Sequence, residues 1–199
     1  QNEADSDSAD AALQEAIDAV EAAAVTELND LSDAKVGTNS VYLGTTPSTV
    51  AAYYNVGIGS GTLESLTSGD LNTAVGYKAL SQIDTGGINT ALGYLAMEKT
   101  TNGGYNVAVG NHALSRNIDG NNAVAIGNSS MAWTTNAGSF NTAVGSNSLA
   151  NVTGDRNVAI GGGAGVDINS GSYNTIIGMN SDVSVFDAVN QTIIGYNTI

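Results

Sequence analysis

Glycine recurs through residues 39–199 at intervals close to seventeen residues, and each of these coil glycines closes a short motif such as N-T-A-V-G. The successive intervals along the chain are 15, 17, 17, 17, 17, 18, 16, 17 and 17. The coil glycines are Gly44, Gly59, Gly76, Gly93, Gly110, Gly127, Gly145, Gly161, Gly178 and Gly195. A repeat of this length is typical of solenoids, in which each repeat buries its apolar face only against its neighbours. We therefore predict an all-β parallel solenoid of ten coils, with about 17 residues per coil.

The three residues before each coil glycine have the composition of a short strand. The residue directly before it forms an aliphatic column: Leu43, Ile58, Val75, Leu92, Val109, Ile126, Val144, Ile160, Ile177 and Ile194. Two residues further back is a Val/Thr column, which includes Thr73, Thr90, Val124 and Thr142. Because strand side chains alternate, these two columns share a face, which we expect to point inward. Between them is an alanine column (Ala74, Ala91, Ala108, Ala125, Ala143 and Ala159), where we expect a neighbouring sheet or subunit to approach.

Two further columns lie outside this strand. Four residues after the coil glycine comes a Leu/Met column: Leu63, Leu80, Met97, Leu114, Met131, Leu149 and Ile199. Seven residues before it comes a turn-glycine column: Gly69, Gly86, Gly103, Gly120, Gly138, Gly154 and Gly171. The first predicts a second short strand, and the second predicts a tight turn with positive φ at the glycine. Each coil is thus expected to run strand, turn, strand, turn.

Asparagine recurs four residues before the coil glycine. This asparagine column comprises Asn55, Asn72, Asn89, Asn106, Asn141, Asn157 and Asn174. Amides that stack along an axis can hydrogen-bond to one another, as they do in cross-β ladders. We therefore interpret the asparagines, together with coil glycines Gly76, Gly93, Gly110, Gly127, Gly145, Gly161 and Gly178, as a structural ladder.

The amino-terminal segment differs from the repeats, since residues 1–34 carry ten acidic and no basic side chains. Leu13, Ile17, Val20 and Ala24 follow helical spacing on a background rich in Ala and Glu. A helix this short is marginal alone, and association of several copies would stabilise it. We predict a helical coiled-coil stalk over 1–34 that oligomerises through Leu13, Ile17 and Val20, ahead of a solenoid over 35–199. A frayed, solvated tail is the alternative.

The strings RNVAIG at 156–161 and NAVAIG at 122–127 resemble the head repeats of trimeric autotransporter adhesins. NTAVGYKAL at 72–80, NTALGYLAM at 89–97 and ELNDLSDAKVG at 27–37 are similar to segments of bacteriophage tail fibres. The resemblance implies a left-handed β-roll, a homotrimer and a role in host recognition. The adhesin heads usually have a shorter repeat than seventeen, and no binding residue of either family maps onto these motifs.

Several classes of function are not expected. The chain has no cysteine and one histidine, His112, which we interpret as a solvated turn residue because no partner ligand or base accompanies it. The run of small residues at 161–165 lacks the Lys-Ser/Thr ending of a phosphate loop. We therefore expect no catalytic residue, metal or cofactor. The scattered basic residues argue against nucleic acid, and the short apolar stretches argue against membrane insertion.

Three aromatic residues are candidate surface contacts. Tyr77 and Tyr94 directly follow their coil glycines, and Trp133 lies in the one stretch where the interval between coil glycines rises to eighteen. Exposed aromatic rings can stack on sugars, although the tyrosines can equally stack on each other between coils. A host-surface glycan or protein is the expected ligand.

The expected function is that of an extracellular fibre, most specifically a segment of a phage-like tail fibre on a virion. The alternative is a bacterial surface adhesin or extracellular filament protein. We expect partners in further copies of the chain and, at the solenoid ends, in a neighbouring fibre or baseplate-type protein, because open sheet edges invite pairing. Ice binding ranks third, because the threonines are expected to point inward.

Overall fold

A computed structural model describes residues 34–37, 40–44, 52–133 and 135–199. These residues contain eleven short strands, which form a single sheet in chain order. The strands are β1 (Ala34–Gly37), β2 (Ser40–Gly44), β3 (Val56–Gly59), β4 (Thr73–Val75), β5 (Thr90–Leu92), β6 (Val107–Val109), β7 (Val124–Ile126), β8 (Thr142–Val144), β9 (Val158–Ile160), β10 (Thr175–Ile177) and β11 (Thr192–Ile194). The predicted coiled-coil residues Leu13, Ile17 and Val20 lie outside the described residues.

The sheet has one antiparallel pair, followed by parallel pairs throughout. β1 and β2 form a hairpin in which Gly37 is opposite Ser40. From β2 to β11 every neighbouring pair is parallel, and most partners are one repeat apart, as in Thr73 opposite Thr90. The predicted parallel β-solenoid, with a turn of about seventeen residues, is thus confirmed. Its ten parallel strands enclose about nine turns rather than ten. The hairpin was not predicted, and the left-handed sense stays a prediction.

The strand faces point opposite to the prediction. In the middle coils the alanine column is completely buried, as Ala74 and Ala91 show, and it faces the inside of the solenoid. The aliphatic and Val/Thr columns face outward and are exposed or half-buried, with Leu92 47% exposed. The cause is the narrow interior, in which the Leu/Met column packs in the same core cluster as these alanines. Little more than a methyl group fits beneath the strands of these middle coils.

The Leu/Met column is buried, but it does not form the predicted second strand. Among the described residues, each coil has a single strand, and the column lies in a turn where Leu80 has a φ of 50° and Lys78 a φ of 52°. The left-handed region costs an L-residue roughly 1–2 kcal/mol. Burial of a leucine side chain offsets this cost with roughly 1.5–3 kcal/mol. Ile199, the expected last member, is 85% exposed.

These turns remain hydrogen-bonded to both neighbouring coils. The backbone N–H of Lys78 donates to the Ser60 carbonyl of the preceding coil at 2.9 Å. The N–H of Leu80 donates to the Ala96 carbonyl of the following coil at 3.0 Å. Left-handed residues therefore preserve the backbone pairing that a second strand would have supplied, so the polar groups of the turn are satisfied.

The turn-glycine column also differs from its prediction. Only Gly138 of this column has positive φ, at 65°. The glycines are required instead by the close approach of successive coils, since a Cβ at Gly103 would lie 2.7 Å from the Gly120 carbonyl oxygen. Positive φ occurs two residues later, in a corner column five residues before the coil glycine. Its members are Tyr54, Leu71, Ile88, Tyr105, Asn122, Phe140, Arg156, Tyr173 and Asn190.

Candidate functional site

The asparagine column forms a ladder inside the body that is interrupted at one coil, and its members are fully buried. The Oδ1 of Asn89 accepts the backbone N–H of Asn106 at 3.0 Å. Its Nδ2 donates to the carbonyl oxygen of Gly103 at 2.9 Å and to Oδ1 of Asn72 at 3.1 Å. Each amide therefore satisfies backbone groups of the following coil, which is a structural task with no free group left for ligand chemistry.

One coil has alanine in place of the ladder asparagine. In that coil Asn117, from another column, supplies buried hydrogen bonds to the backbone. Ala123 holds the ladder position, while Asn117 is buried nearby. The Nδ2 of Asn117 donates to the Gly120 carbonyl at 2.9 Å, and its Oδ1 accepts the N–H groups of Gly120 at 3.1 Å and Ala137 at 3.3 Å. We did not identify Asn117 from the sequence. The available signal was an amide in a register position that is aliphatic in most other coils, as at Ile83 and Ile168.

A second ladder of side-chain acceptors runs along the exposed turns and also escaped the sequence analysis. The Asp70 carboxylate accepts the backbone N–H of Tyr53 at 2.7 Å. Asp155 does the same for the N–H of Ser139 at 2.8 Å, and the Oδ1 of Asn121 accepts from Gly104 at 2.7 Å. These side chains hold neighbouring coils together, so the carboxylates among them are structural acceptors and not paired acids for catalysis.

The outward side of the sheet is an exposed apolar face. We define it as the aliphatic, Val/Thr and corner columns from β2 to β11. Its large apolar side chains are exposed: Tyr54 57%, Leu71 52%, Ile88 43%, Leu92 47%, Tyr105 60%, Phe140 52%, Ile160 42%, Tyr173 53% and Ile194 70%. A sheet that faced only water would carry polar residues there. The face instead carries larger apolar side chains than the alanine-rich surface that the sheet turns inward.

Arg156 is the one charged residue of the corner column, and its side chain packs against the neighbouring aromatic rings. Its guanidinium lies 5.1 Å from the centre of the Phe140 ring and 5.4 Å from that of Tyr173, within range of cation–π attraction. One guanidinium nitrogen also donates to the Tyr173 hydroxyl at 3.3 Å. The cation is thereby held between two rings along the face.

Tyr77 and Tyr94, two of the predicted contact residues, stack on each other. Their ring centres are 5.3 Å apart with an interplanar angle of 15°. The His112 imidazole meets the Tyr94 ring edge-on at 5.6 Å and 72°. Since Tyr77 and Tyr94 are 44% and 47% exposed, the stack leaves part of each ring open to solvent.

Trp133, the third predicted contact residue, lines a cleft together with His112. The open cleft has a volume of about 240 Å³ and is lined by His112, Ser115, Arg116, Ser129, Ala132 and Trp133. The indole is half exposed, and the Trp133 carbonyl accepts a hydrogen bond from the Arg116 guanidinium at 3.4 Å. We refer to this feature as the Trp133 cleft.

Neither a metal site nor a perturbed catalytic pair is found in the described part of the chain. No three His, Cys, Asp or Glu side chains there come together as metal ligands would. Burial raises the pKa of Asp182, whose carboxylate accepts the N–H groups of Asp167 and Val183, both at 2.8 Å. Because the folded-state pKa is raised, this group favours the fold at low pH, and that stabilisation is lost as the pH rises through the folded-state value.

No segment of the described chain forms a helix of the length and apolarity that crossing a bilayer requires. No protein-family model, curated protein or solved structure matches the chain. The assignment of function therefore rests on the physical features of the described residues.

Proposed function

We propose that the chain is a structural and adhesive fibre segment that self-associates along its outward apolar face. The observation that carries the proposal is the orientation of the aliphatic column. Its members, such as Ile126 and Ile160, are completely regular along the sheet and yet are 39% and 42% exposed. A solenoid that functioned alone would gain nothing from this regular apolar exposure, since contiguous apolar patches mark interaction sites.

The dimensions of the face suit association. Ten strands at about 4.8 Å spacing give a length of roughly 43 Å, and four residue steps of about 3.3 Å give a width of roughly 13 Å. This footprint lies near the upper end of the roughly 300–600 Å² found for the largest apolar patch on a monomer. The apolar residues of the face include six aromatic or branched side chains in the corner column alone, which would supply a dry centre for the interface.

A further copy of the same chain is the partner that matches this face in length and period. Soluble homo-oligomers usually close by cyclic symmetry, so identical faces packed around an axis parallel to the solenoid would all be covered. The expected copy number of three depends on the resemblance to adhesin heads and tail fibres and on the helical pattern of residues 9–28. The resulting trimer would be a stiff rod with its turns exposed.

The adhesive part of the proposal concerns those turns. A tail-fibre segment would present them to a host surface from a virion, and the coils would act as a rigid support. The alternative is a bacterial surface adhesin or extracellular filament protein of the adhesin-head type. The sequence flanking residues 1–199 in the gene would discriminate the two, because an anchor or polymerising domain belongs only to the second.

Charge substitution on the face tests the proposal. The double variant Leu92→Lys/Ile126→Lys places two cations in the aliphatic column without touching the core, so it is expected to dissociate the assembly. The control Val185→Lys/Phe186→Lys adds the same charge to two side chains that are 52% and 64% exposed outside the face. Light scattering that shows equal mass for both variants would contradict the proposal.

Ice binding has one supporting observation. The expectation that the threonines point inward is wrong, because Thr73, Thr90 and Thr142 lie on the outward face of the sheet. Association along this face would cover them, so we expect no thermal hysteresis from the assembled protein. Hysteresis that vanished in Thr90→Tyr and Thr142→Tyr variants with intact folding would favour ice binding instead.

A further inference from the structure

We infer that the Trp133 cleft binds a carboxylated sugar, such as a uronic acid or sialic acid unit of a host-surface glycan. The inference rests on the proposed adhesive function and names the ligand class for it. The cleft is formed by residues that follow the coil glycines, whereas the outward apolar face is formed by residues that precede them, so assembly along that face leaves the cleft open. Its residues come from two successive coils, and each copy of the chain contains one cleft.

The aromatic wall of the cleft is accessible, and its backbone is anchored. The backbone N–H of Trp133 donates to the Ala150 carbonyl of the next coil at 2.9 Å, which anchors the residue to the solenoid. The indole is 50% exposed, and its N–H forms no hydrogen bond with another described residue. An indole combines a broad apolar surface with one polar donor. This combination suits a pyranose ring, which has an apolar C–H face and hydroxyl groups around its edge.

The charge of the cleft is opposite to that of the chain. The net charge of the protein is −14, but the cleft has an arginine and a histidine among its lining residues and no acid. Within the described part of the chain, the one hydrogen bond of the Arg116 guanidinium is to a carbonyl oxygen. An arginine without a carboxylate partner can bind an incoming carboxylate through two parallel hydrogen bonds.

A second cation reinforces this polarity. Lys99 occupies the same register position as Arg116 and Trp133, one repeat earlier, and its backbone N–H donates to the Ser115 carbonyl at 3.0 Å. The column therefore runs from lysine to arginine to tryptophan over three coils, at about 4.8 Å per coil. The only acid in the same three coils of these two columns is Glu98, which occupies the register position of Ser115 one coil before the cleft. An acidic ligand stacked on Trp133 would meet Arg116 first and Lys99 beyond it.

The size of the cleft limits the ligand to one sugar unit. Its volume of about 240 Å³ is below the roughly 300–1,000 Å³ typical of pockets for drug-sized ligands. One ring can therefore be held, with the rest of a glycan outside, and the affinity per site is expected to be low. Several clefts on one assembled fibre would compensate through avidity on a dense glycan surface.

A paired glycan array tests the inference with the full chain as it assembles. Each carboxylated oligosaccharide, terminated by sialic, glucuronic or galacturonic acid, is printed beside the same oligosaccharide with its carboxylate reduced to an alcohol. We expect at least one carboxylated member to be retained about tenfold better than its reduced partner, as loss of a charge-assisted pair implies. Arg116→Met and Trp133→Ala should each abolish that preference.

Matched controls separate the cleft from general charge and aromatic effects. Lys78→Met removes one positive charge from a turn two coils before the cleft and outside the outward apolar face, and Phe186→Ala removes an exposed ring elsewhere, so both should bind as the unsubstituted chain does. The inference is overturned if no pair is discriminated, if Arg116→Met binds normally, or if Lys78→Met loses binding equally. Light scattering on the same samples distinguishes the two proposals, because an assembled protein without glycan preference contradicts only the ligand, whereas a monomer contradicts the fibre itself.

Discussion

The ring of Tyr42 occupies the space that a side chain at Gly57 would need, since a Cβ at Gly57 would lie 3.1 Å from Cδ1 of Tyr42. Both residues belong to the inward column that is alanine in the middle coils. Tyr42 is completely buried, and it fills the first coil beside a glycine in the second. The sheet thus conserves core volume across neighbouring coils, although it does not conserve residue type.

This relationship predicts strong coupling between the two positions. Gly57→Ala alone should cost about 1–3 kcal/mol of unfolding free energy through overpacking, and Tyr42→Ala about 3–5 kcal/mol through cavity formation. The double variant should cost clearly less than the sum, because the new methyl group enters the space that the ring has left. Urea denaturation of all four members of the cycle measures this coupling.

Ala91→Gly provides the control for that cycle. Ala91 lies in the same column two coils beyond Gly57, too far to share a cavity with Tyr42, so its effect should add to that of Tyr42→Ala within about 0.5 kcal/mol. Additive behaviour at Gly57 as well would show that the two side chains do not compete for space.

The ladder amides are predicted to be essential to stability. Asn89→Ala would leave the Asn106 N–H and the Gly103 carbonyl without their side-chain partners inside the body. At about 1–3 kcal/mol for each unsatisfied buried group, the variant should lose about 2–6 kcal/mol. Asn128→Ala is the matched control, because the Asn128 side chain is exposed and forms no hydrogen bond with described residues. Equal thermal midpoints for the two variants would contradict the structural role.

The coil glycines are predicted to tolerate no side chain. Gly110 has a φ of 136°, and a Cβ there would lie 2.5 Å from the Gly127 carbonyl oxygen. Gly110→Ala should therefore cost about 3 kcal/mol or more, through backbone strain and a clash with the next coil. Gly162→Ala, where the nearest atoms would be 3.9 Å from the Cβ, should stabilise the protein by about 0.4–1 kcal/mol. Calorimetry that ranks the two variants in the reverse order would refute this interpretation of the coil.

A second pair of neighbouring core positions, near the carboxyl-terminal end of the body, also combines a glycine with a large side chain. Gly165 occupies a Leu/Met column position, and a Cβ there would lie 2.8 Å from Cδ2 of Leu149 and 3.2 Å from Cδ1 of Ile176, which lies in the alanine column one coil later. These two side chains fill the space. Ile176→Ala should cost about 2–5 kcal/mol. Adding Gly165→Leu should recover part of that loss, because Leu149 shows that leucine adopts positive φ in this column. Chemical denaturation that showed a further loss in the double variant would contradict compensation.

The period and the composition of each column were readable from the sequence, because stacked coils place equivalent residues on top of one another. The direction of each face was not readable. Alternation shows that Val75 and Thr73 share a face but does not show whether that face is inside. The usual criterion, that the larger apolar side chains point inward, fails here because the outward face carries the Leu, Ile and Val side chains and the inward face carries alanine.

The turns escaped prediction for a different reason. Leucine and methionine seldom adopt positive φ, so the apolar column of Leu80 and Met97 indicated a strand. In the structure, tertiary packing overrides this local preference, since both side chains are completely buried. Only one wall of the Trp133 cleft could be predicted from the sequence. The added residue drew attention to Trp133, but the position of Arg116 beside it depends on the register of successive coils.

Self-association is the claim on which the proposed function depends, and the mass of the folded protein in solution tests it most directly. Sedimentation equilibrium is expected to give a single species with three times the mass of the 20.0 kDa chain. A different closed assembly would correct the copy number and retain the interface. A folded particle of 20.0 kDa that remained monomeric at the highest attainable concentration would contradict the account.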